Sequence, residues 1–179
     1  GCRVINSTLE NVVLFDDCVI EDCDLRDCIC DDGCELQGID LRKKMLRKGT
    51  KLISGAKEVL SQLKQNHYRM AIASNRPSQF TEIILDHLNV RHYFDYVVCA
   101  DKVDRPKPEA DILKKILDDS YIPASEALYV GDMTIDVETG QRAKMRTVIV
   151  LTGSCDEKEI RPLMPYKIIK DVTYLPEII

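Results

Sequence analysis

The sequence predicts an α/β fold, a parallel sheet with helices on both faces, preceded by a short β-solenoid-like segment. Two observations carry this prediction. From about Gly49 onward, short unbroken apolar runs alternate with stretches whose apolar residues recur at helical spacing. Before Gly49, apolar triplets recur about every five or six residues with polar corners between them. The boundary is placed accordingly, with residues 1–50 as the solenoid-like segment and residues 51–179 as the α/β core.

The N-terminal triplets are Val12-Val13-Leu14, Cys18-Val19-Ile20, Cys23-Asp24-Leu25, Cys28-Ile29-Cys30 and Cys34-Glu35-Leu36. Their period suits neither a helix nor an ordinary hairpin. It suits a coil whose sides are short strands, with each inward residue stacked on its equivalent in the next coil. Cys18, Cys23 and Cys28, five apart, then read as small inward-facing packing residues. A zinc site would more often show Cys-x-x-Cys pairs or a nearby histidine, and the histidines stand at 67, 87 and 92.

In the core, Ala56, Val59, Leu60 and Leu63 share one helical face. Residues 70–73 form the next strand. Phe80, Ile83, Ile84, Leu85 and Leu88 line a second helix. Residues 96–100 form a strand, Ile112, Leu113, Ile116 and Leu117 mark a helix, and residues 127–130, 147–151 and 166–169 complete the strands. In such sheets ligands sit at the carboxyl ends of the strands, so the polar residues following each strand are the candidates.

The totals restrict the function. The chain has 179 residues, a net charge of −5, an estimated pI of 5.3, 45% apolar and 31% charged residues. This is the composition of a soluble globular protein, and the acidic balance argues against nucleic-acid or anionic-membrane partners. No apolar run reaches the ~18–20 residues needed to span a bilayer. No signal peptide is evident, and the chain does not begin with Met, which reads as a fragment or a processed chain. Six of eight cysteines fall in the first 34 residues. The core has no need of disulfides, so reduced thiols and a cytoplasmic location are expected.

Three strand ends carry chemistry. After residues 70–73 comes Ser74-Asn75, where a hydroxyl and backbone amides could hold a phosphoryl oxygen; Ser74 could equally cap the helix beginning near Pro77. After residues 96–100, Arg105-Pro106-Lys107-Pro108-Glu109 fixes a lysine between two prolines. That suits a cation aimed at a fixed anion, or a solvated lysine in a stiff loop. After residues 127–130, Gly131-Asp132-Met133-Thr134-Ile135-Asp136 places two carboxylates four apart. They would face one side of a helix and make a hard oxygen site for Mg²⁺, or serve as helix caps.

In this order and spacing, these motifs resemble three of the four signature motifs of the haloacid dehalogenase (HAD) superfamily, in its phosphoglycolate-phosphatase-like branch. The resemblance covers about residues 52–179 and extends to Gly55-Ala56-Lys57-Glu58-Val59-Leu60 and Ala143-Lys144-Met145-Arg146-Thr147-Val148. It implies a Rossmann-like core and a Mg²⁺-dependent phosphatase. In that enzyme Ser74, Asn75 and Lys107 hold the phosphoryl group, and Asp132 and Asp136 serve the metal. The substrate implied is a small phosphorylated metabolite, and its hydrolysis proceeds through an aspartyl-phosphate.

The fourth motif, an Asp-x-Asp ending the central strand, is imperfect here. In Val12-Val13-Leu14-Phe15-Asp16-Asp17-Cys18, Asp16 is the candidate nucleophile but Cys18 stands where the acid/base belongs. In Cys30-Asp31-Asp32-Gly33-Cys34 a cysteine replaces the nucleophile. Both stretches also read as solenoid corners. Without its central strand the sheet would leave backbone groups unpaired. Residues 11–15 are the intrachain candidate for that slot, the alternatives being a sheet that closes up or a strand from elsewhere in the protein.

Residues 2–51 also resemble the left-handed β-helix tail of sugar-phosphate nucleotidyltransferases, through Ile5-Asn6-Ser7, Glu10-Asn11-Val12, Asp17-Cys18-Val19-Ile20, Asp27-Cys28-Ile29 and Lys48-Gly49-Thr50. A pentapeptide solenoid is the other reading, from Cys23-Asp24-Leu25-Arg26-Asp27. The nucleotidyltransferase resemblance implies a sugar phosphate as substrate and self-association through the N-terminal segment. It also supports an alternative function: a non-catalytic or incomplete HAD-like domain at the C-terminus of such an enzyme, serving assembly or regulation.

Overall fold

The computed structural model describes residues 2–14, 18–30, 35–37 and 50–179. They belong to two compact units, Gly1–Thr50 and Lys51–Ile179.

The first unit contains five strands: β1 (Arg3–Ile5), β2 (Thr8–Leu14), β3 (Val19–Glu21), β4 (Asp24–Cys30) and β5 (Glu35–Gln37). All pair in parallel. Arg3 lies beside Val19 and Val19 beside Glu35, so β1, β3 and β5 repeat at an offset of 16 residues. β2 and β4 keep the same offset, with Thr8 beside Asp24 and Leu14 beside Cys30. Parallel neighbours this close in sequence require the chain to coil once per repeat. Cys18 and Cys23 are buried, and Ser7 Oγ accepts the Cys23 N–H at 3.0 Å. Asn6 and Asp22, also 16 apart, both have positive φ and are joined side chain to side chain at 2.6 Å. They are equivalent corners of successive coils, and asparagine and aspartate tolerate this conformation best after glycine.

The strand proposed for the central slot of the α/β sheet is found elsewhere. Asn11–Leu14 belongs to β2, whose ladder is with β4. A partner 16 residues away closes a much shorter loop than one some 60 residues away, so this pairing carries the lower entropic cost. Phe15 and Asp16 lie outside the described residues, as do Asp17, Asp31, Asp32 and Cys34.

The second unit alternates helix and strand: α1 (Ala56–Gln65), β6 (Ala71–Ser74), α2 (Ser78–His87), β7 (Tyr96–Cys99), α3 (Asp111–Ser120), β8 (Leu128–Gly131), α4 (Thr134–Arg142), β9 (Arg146–Val150), α5 (Glu157–Ile160) and β10 (Lys167–Ile169). Each strand lies within one residue of its expected position. All pairings are parallel, in two ladders: β6 with β7, and β8 with β9 with β10. β6 and β8 are not paired, so the sheet has not closed up.

Alternation along β9 shows the two faces. Val148 and Val150 pack with Val59 and Leu63 of α1 and with Ile169 and Leu175. Ile149 points the other way, onto Val137 of α4 and Ile160 of α5. Helix α3 packs Ile112 and Leu113 against Val98 and Tyr129. Asp95 ties the start of β6 to the start of β7 by accepting the Met70 N–H and the Lys64 ammonium, both at 2.9 Å.

Gly140 lets α4 approach β9 closely, because a Cβ there would collide with Thr147. Gly140→Ala is expected to destabilise the unit by about 1–3 kcal/mol, overpacking outweighing the ~1 kcal/mol helix gain. A lower urea midpoint at unchanged slope is the readout, and a raised midpoint would refute it.

Candidate active site

Three strand ends meet through side chains and backbone. Asn75, just past β6, holds the proline loop from both sides. Its Nδ2 donates to the Lys107 carbonyl oxygen and its Oδ1 accepts the Lys107 N–H, each at 2.9 Å. Between its prolines, Lys107 turns inward and keeps only 13% of its side chain exposed. The peptide from Lys107 to Pro108 is cis.

The Lys107 Nζ donates to Asp136 Oδ1 at 2.8 Å and to the Tyr129 hydroxyl at 3.2 Å. Tyr129 in turn donates to the same Asp136 oxygen at 2.6 Å. The second oxygen, Oδ2, accepts the backbone N–H groups of Asp132 and Met133 at 3.0 and 3.1 Å. Asp136 therefore accepts from four protein donors, which fills the roughly four acceptor sites of a carboxylate. Gly131 is required beside it, since a Cβ there would strike the Asp136 side chain.

Ser74 does not cap α2. Its Oγ accepts the Arg76 N–H at 3.1 Å, a local turn that keeps the hydroxyl at the end of β6. The start of α2 is served instead by Asp101, which accepts from the Ser78 N–H and hydroxyl.

The two carboxylates expected to act as a pair have different surroundings. Asp136 is buried, with 3% of its side chain exposed, and is consumed in orienting Lys107 and the start of α4. Asp132 is half-buried, and among the described residues no hydrogen bond or ion pair to its carboxylate is found. The loop after β9 leaves room for that carboxylate at Gly153, where a Cβ would strike it. Among the described residues no group of three or more His, Cys, Asp and Glu gathers into a protein-only metal cage. A Mg²⁺ site does not need one, because that ion commonly takes one or two carboxylates and completes its shell with water and substrate phosphate. Asp132 fits this pattern, whereas Asp136 has no acceptor site to spare.

Burial pushes the Asp136 carboxyl upward, but the Lys107 ammonium and the Tyr129 hydroxyl outweigh it and leave the group below its ordinary range. Burial, reinforced by the neighbouring Asp136 charge, pushes the Tyr129 hydroxyl well above its ordinary value, so it stays a neutral donor. A depressed carboxyl contributes its full stability above its unfolded pKa of about 3.9, and that contribution is lost as pH falls through the lower folded value. The urea midpoint should hold from pH 7 to about 5 and fall below about 4. Asp136→Asn should flatten that fall, and an unchanged acid limb would show that other carboxylates, such as Asp95, govern it.

Tyr129 and Gly153 escaped the sequence reading. Tyr129 sits in the middle of a strand, where it passes for packing; the signal was a hydroxyl in an otherwise apolar run three residues before Asp132. Gly153 follows β9 in a Thr-Gly-Ser turn that carries no charged side chain to mark it.

Comparison with known proteins places the family and the fold. The family described as haloacid dehalogenase-like hydrolase matches residues 37–150. A phosphoglycolate phosphatase of Pseudomonas savastanoi pv. phaseolicola is 26% identical over 148 residues, 81% of this chain and 54% of that protein. One from Aquifex aeolicus is 35% identical over 94 residues, 52% of this chain and 44% of that protein. The chain spans about half the length of the curated relatives it matches. Among solved structures, a predicted phosphoglycolate phosphatase from Haemophilus somnus superposes with a TM-score of 0.72 at 22% identity, covering 75% of this chain and 60% of that one. A HAD-superfamily hydrolase of subfamily IA from Geobacter sulfurreducens gives 0.67 at 25% identity, covering 79% and 66%. The second unit thus has the Rossmann-type α/β fold of these proteins.

Proposed function

The chain belongs to the haloacid dehalogenase-like hydrolase family, and from that premise we propose that Lys51–Ile179 carries the phosphate-binding half of a phosphatase acting on a small phosphorylated metabolite of the phosphoglycolate type. The observation that carries this reading is the Asn75–Lys107–Asp136 network, which gathers the ends of β6 and β8 and the proline loop around one buried ammonium. In this reading Ser74 and Asn75 offer polar groups to the phosphoryl oxygens. Lys107 supplies the positive charge, its orientation fixed by Asp136 and Tyr129. Asp132 holds Mg²⁺, which when bound neutralises phosphoryl charge. The resemblance implies an attacking carboxylate that forms an aspartyl-phosphate. Asp16 is the sequence's candidate for that role.

The incomplete-domain reading has its own support: β2, which leads toward Asp16, has its ladder in the N-terminal coil. Under it the second unit binds phosphate without turning it over and serves assembly or regulation.

One experiment separates the two. Release of phosphate from phosphoglycolate and from an aryl phosphate is measured with and without Mg²⁺ on the full chain, alongside binding of inorganic phosphate. Mg²⁺-dependent turnover is the expected result. Binding without turnover favours the incomplete domain, and neither binding nor turnover removes the phosphatase reading. No described helix is long and apolar enough to cross a membrane.

A further inference from the structure

Each of the two aspartates that follow β8 has a glycine pressed against it. A Cβ on Gly131 would strike Asp136, and a Cβ on Gly153 would strike Asp132. The first contact is local, since Gly131 ends β8. The second comes from a different element, the turn after β9.

Backbone conformation does not call for glycine at position 153. Among the described residues Gly55 is the only glycine with a positive φ, so Gly153 stays out of the left-handed region that favours glycine. What the position requires is room. The three heavy atoms nearest to an added Cβ all belong to Asp132: Cβ, Cγ and Oδ2. Turning the carboxylate aside would relieve Oδ2 but not Cβ, which the backbone fixes.

That backbone is held. Gly131 lies beside Ile149 in the β8–β9 ladder, and the Asp132 N–H donates to Asp136 Oδ2 at 3.0 Å. The turn is held at both ends as well. The Leu151 N–H donates to the Ile169 carbonyl oxygen at 3.0 Å, which carries the sheet one residue past β9. Cys155 packs against the buried cluster of Val137, Ile149 and Ile160, and the Asp156 N–H donates to Glu159 Oε2 at 3.0 Å where α5 begins. Thr152, Gly153 and Ser154 are exposed between these anchors, with Gly153 laid against the Asp132 side chain.

An unconfined aspartate divides among three staggered χ1 wells. Mg²⁺ demands near-ideal octahedral geometry, and a carboxylate that is already confined loses less freedom when it binds. We propose that Gly153 is a positioning residue for Asp132. The turn after β9 confines the carboxylate to the rotamer that receives a divalent cation, and glycine is what lets the turn come this close. The inference rests on the assignment of Asp132 to the metal in the phosphatase reading.

The test is Mn²⁺ binding to the full chain, read by electron paramagnetic resonance as the portion lost on Asp132→Asn in the same background. Binding at other acidic residues cancels in that difference. In Gly153→Ala the added methyl excludes the present rotamer. The Asp132-dependent affinity should fall at least tenfold, within the range for groups that orient a metal ligand, under conditions where a urea curve shows the variant folded. Equal or tighter binding by the folded variant overturns the proposal and leaves the metal assignment standing. Absence of Asp132-dependent binding in the parent removes the metal assignment, and the proposal falls with it. If Gly153→Ala does not fold, Thr152→Gly decides. It adds no atom beside Asp132 but slackens the turn, so affinity should fall about threefold as one well becomes three. Unchanged affinity there overturns the proposal.

Discussion

Replacing Asp136 by alanine is expected to destabilise the second unit by about 3–5 kcal/mol. The change leaves the Lys107 ammonium buried with only the Tyr129 hydroxyl for company, and it strips the N–H groups of Asp132 and Met133 of their acceptor. An uncompensated buried charge is the larger part of the cost, with the lost acceptor at the start of α4 adding about 1 kcal/mol. Domains are stable by only about 5–15 kcal/mol, so the variant should unfold at a far lower urea concentration. Asp136→Asn should lose less, because it still accepts the two backbone N–H groups. A shift below about 1 kcal/mol for the alanine variant would mean that the pair behaves as an exposed ion pair and that the network does not orient Lys107.

Asp132→Asn is expected to show the opposite profile, leaving the urea midpoint within about 0.5 kcal/mol of the parent. No described group depends on its carboxylate, and asparagine keeps the size for which Gly153 leaves room. Under the phosphatase reading, Mg²⁺-dependent turnover should fall by at least a hundredfold, since even residues that merely orient a metal ligand change affinity or activity by about 10–100-fold. Raised Mg²⁺ should recover part of the loss. Full activity in this variant would remove Asp132 from the metal site. The two variants together separate what sequence spacing alone joined: one aspartate holds the fold and the lysine, and the other is half-buried with no described partner for its carboxylate.

The strands and helices of the second unit were legible because a parallel sheet writes itself as unbroken apolar runs between amphipathic helices, and Ala71–Ser74 and Leu128–Gly131 fall where those runs end. The grouping of Asn75, Lys107 and Asp136 could be anticipated because all three follow strand ends, which a parallel sheet brings to one edge. The division of labour between Asp132 and Asp136 was not legible. It depends on Tyr129 and on backbone N–H groups, which no residue spacing reports. Residues 11–15 misled for a physical reason: an apolar run of that length suits a central strand and a solenoid side equally well. Only the 16-residue offset to Asp24–Cys30 decides between them.

That offset also constrains how the N-terminal unit can change in length. Adding or deleting a single residue within Val19–Cys30 would turn the following side chains from one face of their strand to the other and mismatch Arg3–Leu14 against its neighbour. Removing or duplicating 16 residues would leave every remaining rung in place. The segment can therefore be shortened or extended by evolution, or by an engineer, in whole turns. A ruler graduated in coils is available for setting its reach without touching the sequence of any surviving strand.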